Sequence, residues 1–184
     1  MKILTKILSC VLSLFTMMYF IVPVSSMNVK ADTYVHSTDN TSITYSAHVA
    51  NVGWQNPVSN GATAGTTGQG LAMQAIQINY PNQAGLKLQY QAHVQNIGWQ
   101  DPVSDGQTAG TTGQNLQMEA IKISIVDSSG NLSTNYSIYY RTHIANLGWT
   151  TWTKDGQQSG TTGQGLAIQA IQICVAKVGT DFYK

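Results

Sequence analysis

The chain has 184 residues, a formal charge of +1 and only 9% charged side chains, which suits one ordinary domain or a short array. With so few charges and no basic cluster, nucleic acid and anionic lipid are excluded as partners, because both are held largely through Lys and Arg.

Residues 1–31 read as an export signal that is expected to be cleaved, with an uncleaved membrane anchor as the alternative because the apolar region is longer than usual. Lys2 and Lys6 precede an almost wholly apolar stretch from Ile7 to Val24, and Val29-Lys30-Ala31 places small residues before Asp32, as a cleavage site requires. Cys10 stands ahead of most of that apolar run rather than after it, so lipidation is not expected. Cleavage would remove Lys2, Lys6 and Lys30, leaving six basic residues against eight acidic ones, a formal charge of −2. No later apolar run is long enough to span a bilayer, so the mature protein is expected to be secreted and to have no membrane partner. Residues 32–44 read as a polar leader, with order expected near Ile43.

From residue 45 to 184 the chain is a threefold repeat, with copies at about 45–89, 90–139 and 140–184. The blocks beginning at Tyr45, Tyr90 and Tyr140 align without a gap as YSAHVANVGWQNPVSNGATAGTTGQGLAMQAIQI, YQAHVQNIGWQDPVSDGQTAGTTGQNLQMEAIKI and YRTHIANLGWTTWTKDGQQSGTTGQGLAIQAIQI. Fifteen of the 34 positions are identical in all three, so the copies are expected to share one structure. Apolar residues alternate with polar ones in Ala75–Tyr80 and again in Leu86–Val94, the period of half-buried strands. Turn residues at Pro81-Asn82-Gln83-Ala84-Gly85 separate these two runs. The end of one repeat is therefore expected to form a hairpin with the start of the next. The same alternation turns Cys174 away from the core face.

Density of Gly, Thr and Ser leaves little room for helix. The expected fold is all-β, with three internal repeats closing in pseudo-threefold symmetry, β-trefoil-like or β-prism-like. An open linear array is the rival arrangement.

Trp54, Trp99 and Trp149 each follow a glycine at the same place. As glycan platforms they would stack a flat face on a sugar ring, with Asn51, Asn96 and Asn146, then Asn60, Asp105 and Asp155, bonding hydroxyls. As structural residues they would fill the core. Trp152 has no counterpart in the other copies and is the better candidate for exposure. His48, His93 and His143 form a second set; hydrogen-bonded structural histidines are expected rather than a zinc site, and no metal or cofactor is assigned. Gly65-Thr66-Thr67-Gly68-Gln69 lacks the Lys and helix of a phosphate loop and reads as a tight turn with positive φ. Glu119 is the only glutamate, aligned with Gln74 and Gln169. No carboxylate pair or nucleophile motif can be named, so no catalytic residue is assigned. The mature chain holds one cysteine, Cys174, read as an incidental thiol with intermolecular pairing as the alternative.

The segments GWQNPVSNG, GWQDPVSDG and GWTTWTKDG, each followed by GTTGQ and an alternating strand, resemble the ChW repeat, the clostridial hydrophobic, with tryptophan family of secreted Gram-positive proteins. The resemblance covers roughly residues 45–175. It implies export and a role in surface, polysaccharide or protein interaction. The family often carries a second aromatic three residues after the Trp; here only Trp152 supplies it, with Pro57 and Pro102 in the equivalent places. The expected function is thus non-catalytic binding of cell-wall or environmental polysaccharide, or, alternatively, adhesion to an extracellular protein.

Overall fold

Each repeat forms its own pair of long antiparallel strands, as a computed structural model shows for residues 42–81 and 85–179. The export signal, Cys10, most of the polar leader and the centre of the Pro81–Gly85 turn lie outside the described residues. The first repeat contains β1 (Thr44–Val49), β2 (Gly53–Trp54), β3 (Val58–Ser59), β4 (Ala64–Gly65) and β5 (Met73–Asn79). The second contains β6 (Lys87–Val94), β7 (Gly98–Trp99), β8 (Val103–Ser104), β9 (Thr108–Gly110) and β10 (Met118–Val126). The third contains β11 (Tyr136–Ile144), β12 (Gly148–Trp149), β13 (Thr153–Lys154), β14 (Ser159–Gly160) and β15 (Ile168–Lys177). No described residue is helical, and no helix there is long and apolar enough to cross a membrane.

The hairpin expected between repeats is not formed. Instead β1 pairs with β5, β6 with β10 and β11 with β15, all antiparallel and all within one repeat. The outer edge of each opening strand then takes the repeat's two short strands, β2 and β3 on β1 and likewise in the other copies. The Pro81–Gly85 turn therefore leads from one sheet to the next instead of folding a sheet back on itself. Alternation locates strands but does not choose their partners, and both pairings satisfy it.

The remaining short strand of every repeat joins a neighbour. β9 pairs with β5, β14 with β10, and β4 with β15. The second repeat thus completes the sheet of the first, the third that of the second, and the first that of the third. Each of the three sheets stays open, and what runs round in a cycle is the exchange of short strands.

Glycine makes that exchange possible. A Cβ on Gly65, Gly110 or Gly160 would stand 2.7 Å from the Cα of Ala170, Ala75 or Ala120 in the neighbouring repeat. The first glycine of each GTTG segment is thus an interface residue as well as a positive-φ one, at φ 95, 99 and 102. Tyrosine fastens the same contact. The hydroxyls of Tyr45, Tyr90 and Tyr140 donate to the carbonyls of Ala62, Gln107 and Gln157 in their own repeats. They also accept the N–H groups of Ile173, Ile78 and Ile123 in the preceding repeat, at 3.1, 3.2 and 3.1 Å.

The core is one cluster shared by all three repeats, with Ile43, Met73, Met118, Ile168 and the three tyrosines among its members. Burial pushes the Tyr90 hydroxyl up to about 12 and Tyr140 higher still.

Candidate functional site

The inner faces of the long strands carry the core residues, so alternation leaves the intervening side chains on an outer face. On β1 and β5 the outward rows are His48 with Ala75, Ser46 with Gln77, and Thr44 with Asn79. At one end of this strip a turn returns the chain. Asn51 adopts φ 63 and Gly53 φ 86, Val52 N–H donates to the Val49 carbonyl at 3.1 Å, and Trp54 is brought opposite His48. Asn and Gly are the residues that tolerate such angles. The same turn, with Asn96 and Asn146, sets Trp99 opposite His93 and Trp149 opposite His143.

Each imidazole meets its indole edge to face, with centroids 5.3, 5.4 and 5.4 Å apart, a favoured geometry for aromatic pairs. The other side of the histidine is set by a β-bulge. The register slips beside His48, His93 and His143, leaving Gln74, Glu119 or Gln169 as the extra residue. A bulge re-aims a side chain: His143 Nδ1 hydrogen-bonds Gln169 Oε1 at 3.1 Å. His93 Nδ1 lies 3.2 Å from Glu119 Oε2 without a hydrogen bond between them. The three histidines thus belong to three separate indole pairs. Among the described residues no three of His, Cys, Asp and Glu gather as metal ligands would.

The tryptophans do not fill the core, contrary to the structural reading of their repetition. Trp54 is 41% exposed, and Trp99, Trp149 and Trp152 are half-buried, so the exposed indole is Trp54 and not Trp152, which packs on Tyr139, Cys174 and Ala176. Core volume comes from Tyr45, Tyr90 and Tyr140 instead, a role the identical Tyr at the head of each block could have signalled. Beside the indoles, Val52, Ile97 and Leu147 sit at the turn tips with 55, 50 and 62% exposure.

Asn60, Asp105 and Asp155 are not brought to the tryptophans. They follow β3, β8 and β13, which pair with the far end of the opening strand. Asn60 Oδ1 accepts Ile43 N–H at 3.2 Å, and Asp155 Oδ1 accepts Ile138 N–H at 3.0 Å. The Asp105 oxygens accept from Tyr80 and Leu88, both at 3.3 Å. Five residues separate Ile43 from His48, about 16 Å along an extended strand. Asn51, Asn96 and Asn146 are exposed and stand in the indole turns themselves.

Cations lie over three of the four indoles. Lys122 Nζ is 4.6 Å from the Trp99 centroid. The Arg141 guanidinium is 5.2 Å from Trp149 and 4.8 Å from Trp152, and its Nε donates to Gln172 at 2.8 Å. In the first repeat Gln77 stands where Lys122 does, and Ser46 where Arg141 does, which removes the charge over Trp54.

Further along the strip the outer face is hollow in two copies. An open groove of about 120 Å³ is bounded by Thr44, Ser46, Pro57, Gln77, Asn79 and Gly106. Its counterpart, about 80 Å³, is bounded by Gln89, Gln91, Pro102, Lys122, Ser124 and Gly156. In the third copy Trp152 packs at this place on Tyr139, Cys174 and Ala176, a cluster separate from the main core. Cys174 therefore does face away from that core, as its alternation indicates, yet it is 6% exposed and burial pushes its thiol up to about 12.

Nothing among curated proteins or solved structures matches this chain. A family model described as Clostridial hydrophobic W matches three times, over residues 48–82, 93–127 and 143–177.

Proposed function

The chain belongs to the Clostridial hydrophobic W family, and on that premise we propose that it is an exported, non-catalytic protein that binds glycan at the cell envelope or outside the cell. One observation carries the reading. Each repeat holds an indole at the end of an outward strip, and in the first repeat the strip beyond His48 and Ala75 carries Thr44, Ser46, Gln77 and Asn79, hydroxyls and amides of which Ser46 donates to the Gln55 carbonyl and Gln77 to Thr108. An indole offers an apolar face to the C–H side of a pyranose, while amides and hydroxyls both donate to and accept from sugar hydroxyls. Single sites of this kind are weak. Several on one rigid body raise avidity by 10²–10⁴ if a polymer can reach them together.

The test is a pull-down of residues 32–184 on purified cell walls and insoluble polysaccharides. Trp54→Ala is expected to weaken retention about tenfold, equivalent to roughly 1.4 kcal/mol, and Trp149→Ala less, because Arg141 lies over that ring. Unchanged retention by a folded Trp54→Ala protein, or no retention of the wild type, overturns the reading.

The exposed Val52, Ile97 and Leu147 favour a second reading, adhesion to an extracellular protein through the turn tips. Under it, Leu147→Ser abolishes capture while wall binding is absent. For the closure of the repeats we infer a prism-like arrangement, supported by three separate open sheets and their cyclic strand exchange. A solved structure with one continuous barrel would favour the trefoil-like form instead.

A further inference from the structure

Three positions change together between the copies. Where the first and second repeats have Pro57 and Pro102, the third has Trp152. Where they have Thr44 and Gln89, it has Tyr139, and where they have Asn79 and Ser124, it has Cys174. Thr44, Gln89, Asn79 and Ser124 are all at least partly exposed, whereas Tyr139 and Cys174 are 7% and 6% exposed beneath the indole. The third copy thus shows what the hollow accommodates: a flat ring, with the Arg141 guanidinium over it at 4.8 Å from the ring centroid. It also shows the floor that an apolar ring requires, a phenol and a thiol in place of hydroxyls and amides.

The open grooves lie at the equivalent place in the first two copies and have a polar lining. A ring docking in the first one meets the exposed amide of Asn79 and the hydroxyl of Thr44, with Pro57 as an apolar wall. It also meets the remaining hydrogen-bonding capacity of Ser46, which donates to the Gln55 carbonyl, and of Gln77, which donates to Thr108. Burying an indole there would strip water from polar groups that the indole cannot satisfy. A ring carrying its own hydroxyls would satisfy them. Size narrows the ligand further: about 120 and 80 Å³ is well below the several hundred Å³ of a drug-sized pocket, so one ring unit is held at a time.

We propose that the grooves beside Pro57 and Pro102 are single-residue subsites for a neutral oligosaccharide, and that Trp152 occupies and closes the third. The chain then carries two such subsites rather than three. The inference rests on the glycan reading and adds to it the place and number of the ring-binding positions. Lys122 lines the second groove and also lies over Trp99, so there groove and indole are joined by one side chain.

The experiment is an amide NMR titration of residues 32–184 at millimolar concentrations of four probes, the hexasaccharides of glucose, mannose, xylose and N-acetylglucosamine. Expected are shifts at Ser46, Gln77, Gln91 and Lys122, with none at Arg141 or Gln172. Pro57→Trp together with Thr44→Tyr and Asn79→Cys is expected to rebuild the closed copy and erase the first set while sparing the second. Should that variant misfold, Asn79→Ala, a change at an exposed position, is expected to weaken the first set at least fivefold and leave the second untouched. Probe binding whose shifts fall at the turn tips, or appear equally in all three copies, overturns the subsites but leaves glycan binding standing. No shift with any probe overturns them too, and retention on whole walls then decides separately whether glycan binding itself survives.

Discussion

Gly65 and Gly68 lie three residues apart in the same segment, and both have positive φ, at 95 and 73. Their surroundings separate them. An added Cβ at Gly68 meets nothing within 4 Å, whereas at Gly65 it collides with the backbone of Gln169 and Ala170. Gly68→Ala should therefore lose only the left-handed strain of about 1–2 kcal/mol. Gly65→Ala adds overpacking of about 1–3 kcal/mol against an immovable strand. Urea unfolding of both variants checks this, and equal losses would contradict the interface role. The need for glycine was legible in the sequence; the reason at Gly65 was not, because the colliding strand lies in another repeat. Cys174 makes a second case. Its alternation was readable, but its cover was not, since Trp152 reaches it across the outer face. Trp152→Ala should speed reaction of the thiol with an aromatic disulfide at pH 8 by at least about tenfold, as one or more units of pKa are recovered. An unchanged rate would mean that Trp152 is not what buries it.

Among the elements, the long strands were visible from their period of two, and their pairing was not. Ala75–Tyr80 and Leu86–Val94 flank a turn-rich segment, the usual mark of a hairpin, yet they lie in different sheets. The true partner of β5 is β1, across the indole turn and the GTTG segment. Closing that longer loop is tolerable because loop entropy grows only slowly with length. A side chain ties the loop as well, Gln55 Oε1 accepting Gly65 N–H at 2.7 Å, and Gln100 Oε1 accepts Gly110 N–H at 2.7 Å in the matching loop of the second repeat. Tyrosine then locks element to element. Tyr90 reaches from β6 to Ile78 of β5 while also bonding Gln107. Tyr90→Phe leaves buried backbone groups without that partner and should cost about 1–3 kcal/mol, read as a lowered urea midpoint. A loss below half a kcal/mol would place the stability of this junction elsewhere. The strips were only half legible: the repeated indoles marked one end, but nothing in the spacing said that Asn60, Asp105 and Asp155 would turn back to bond backbone N–H groups at the far end, those of Ile43, Leu88 and Ile138 and, for Asp105, Tyr80 of the first repeat as well.

At the level of the whole molecule, the three copies depend on one another. Every sheet lacks a strand until a neighbour supplies it, and the neighbour of the last copy is the first. The outward strips are consequently fixed on one body, which is the condition for several weak glycan contacts to act together. Triplication was plain from the sequence, whereas cyclic exchange was not, since strands as short as Ala64–Gly65 leave no periodic signal. The link between the first and third repeats tests the arrangement most directly. In a solution NMR spectrum of residues 32–184, backbone proton contacts are expected between Ala64 and Ile171, which stand opposite each other in β4 and β15. Contacts from Ala64 to β5 of its own repeat, with none to Ile171, would show that the copies are not joined in a cycle and would contradict the account.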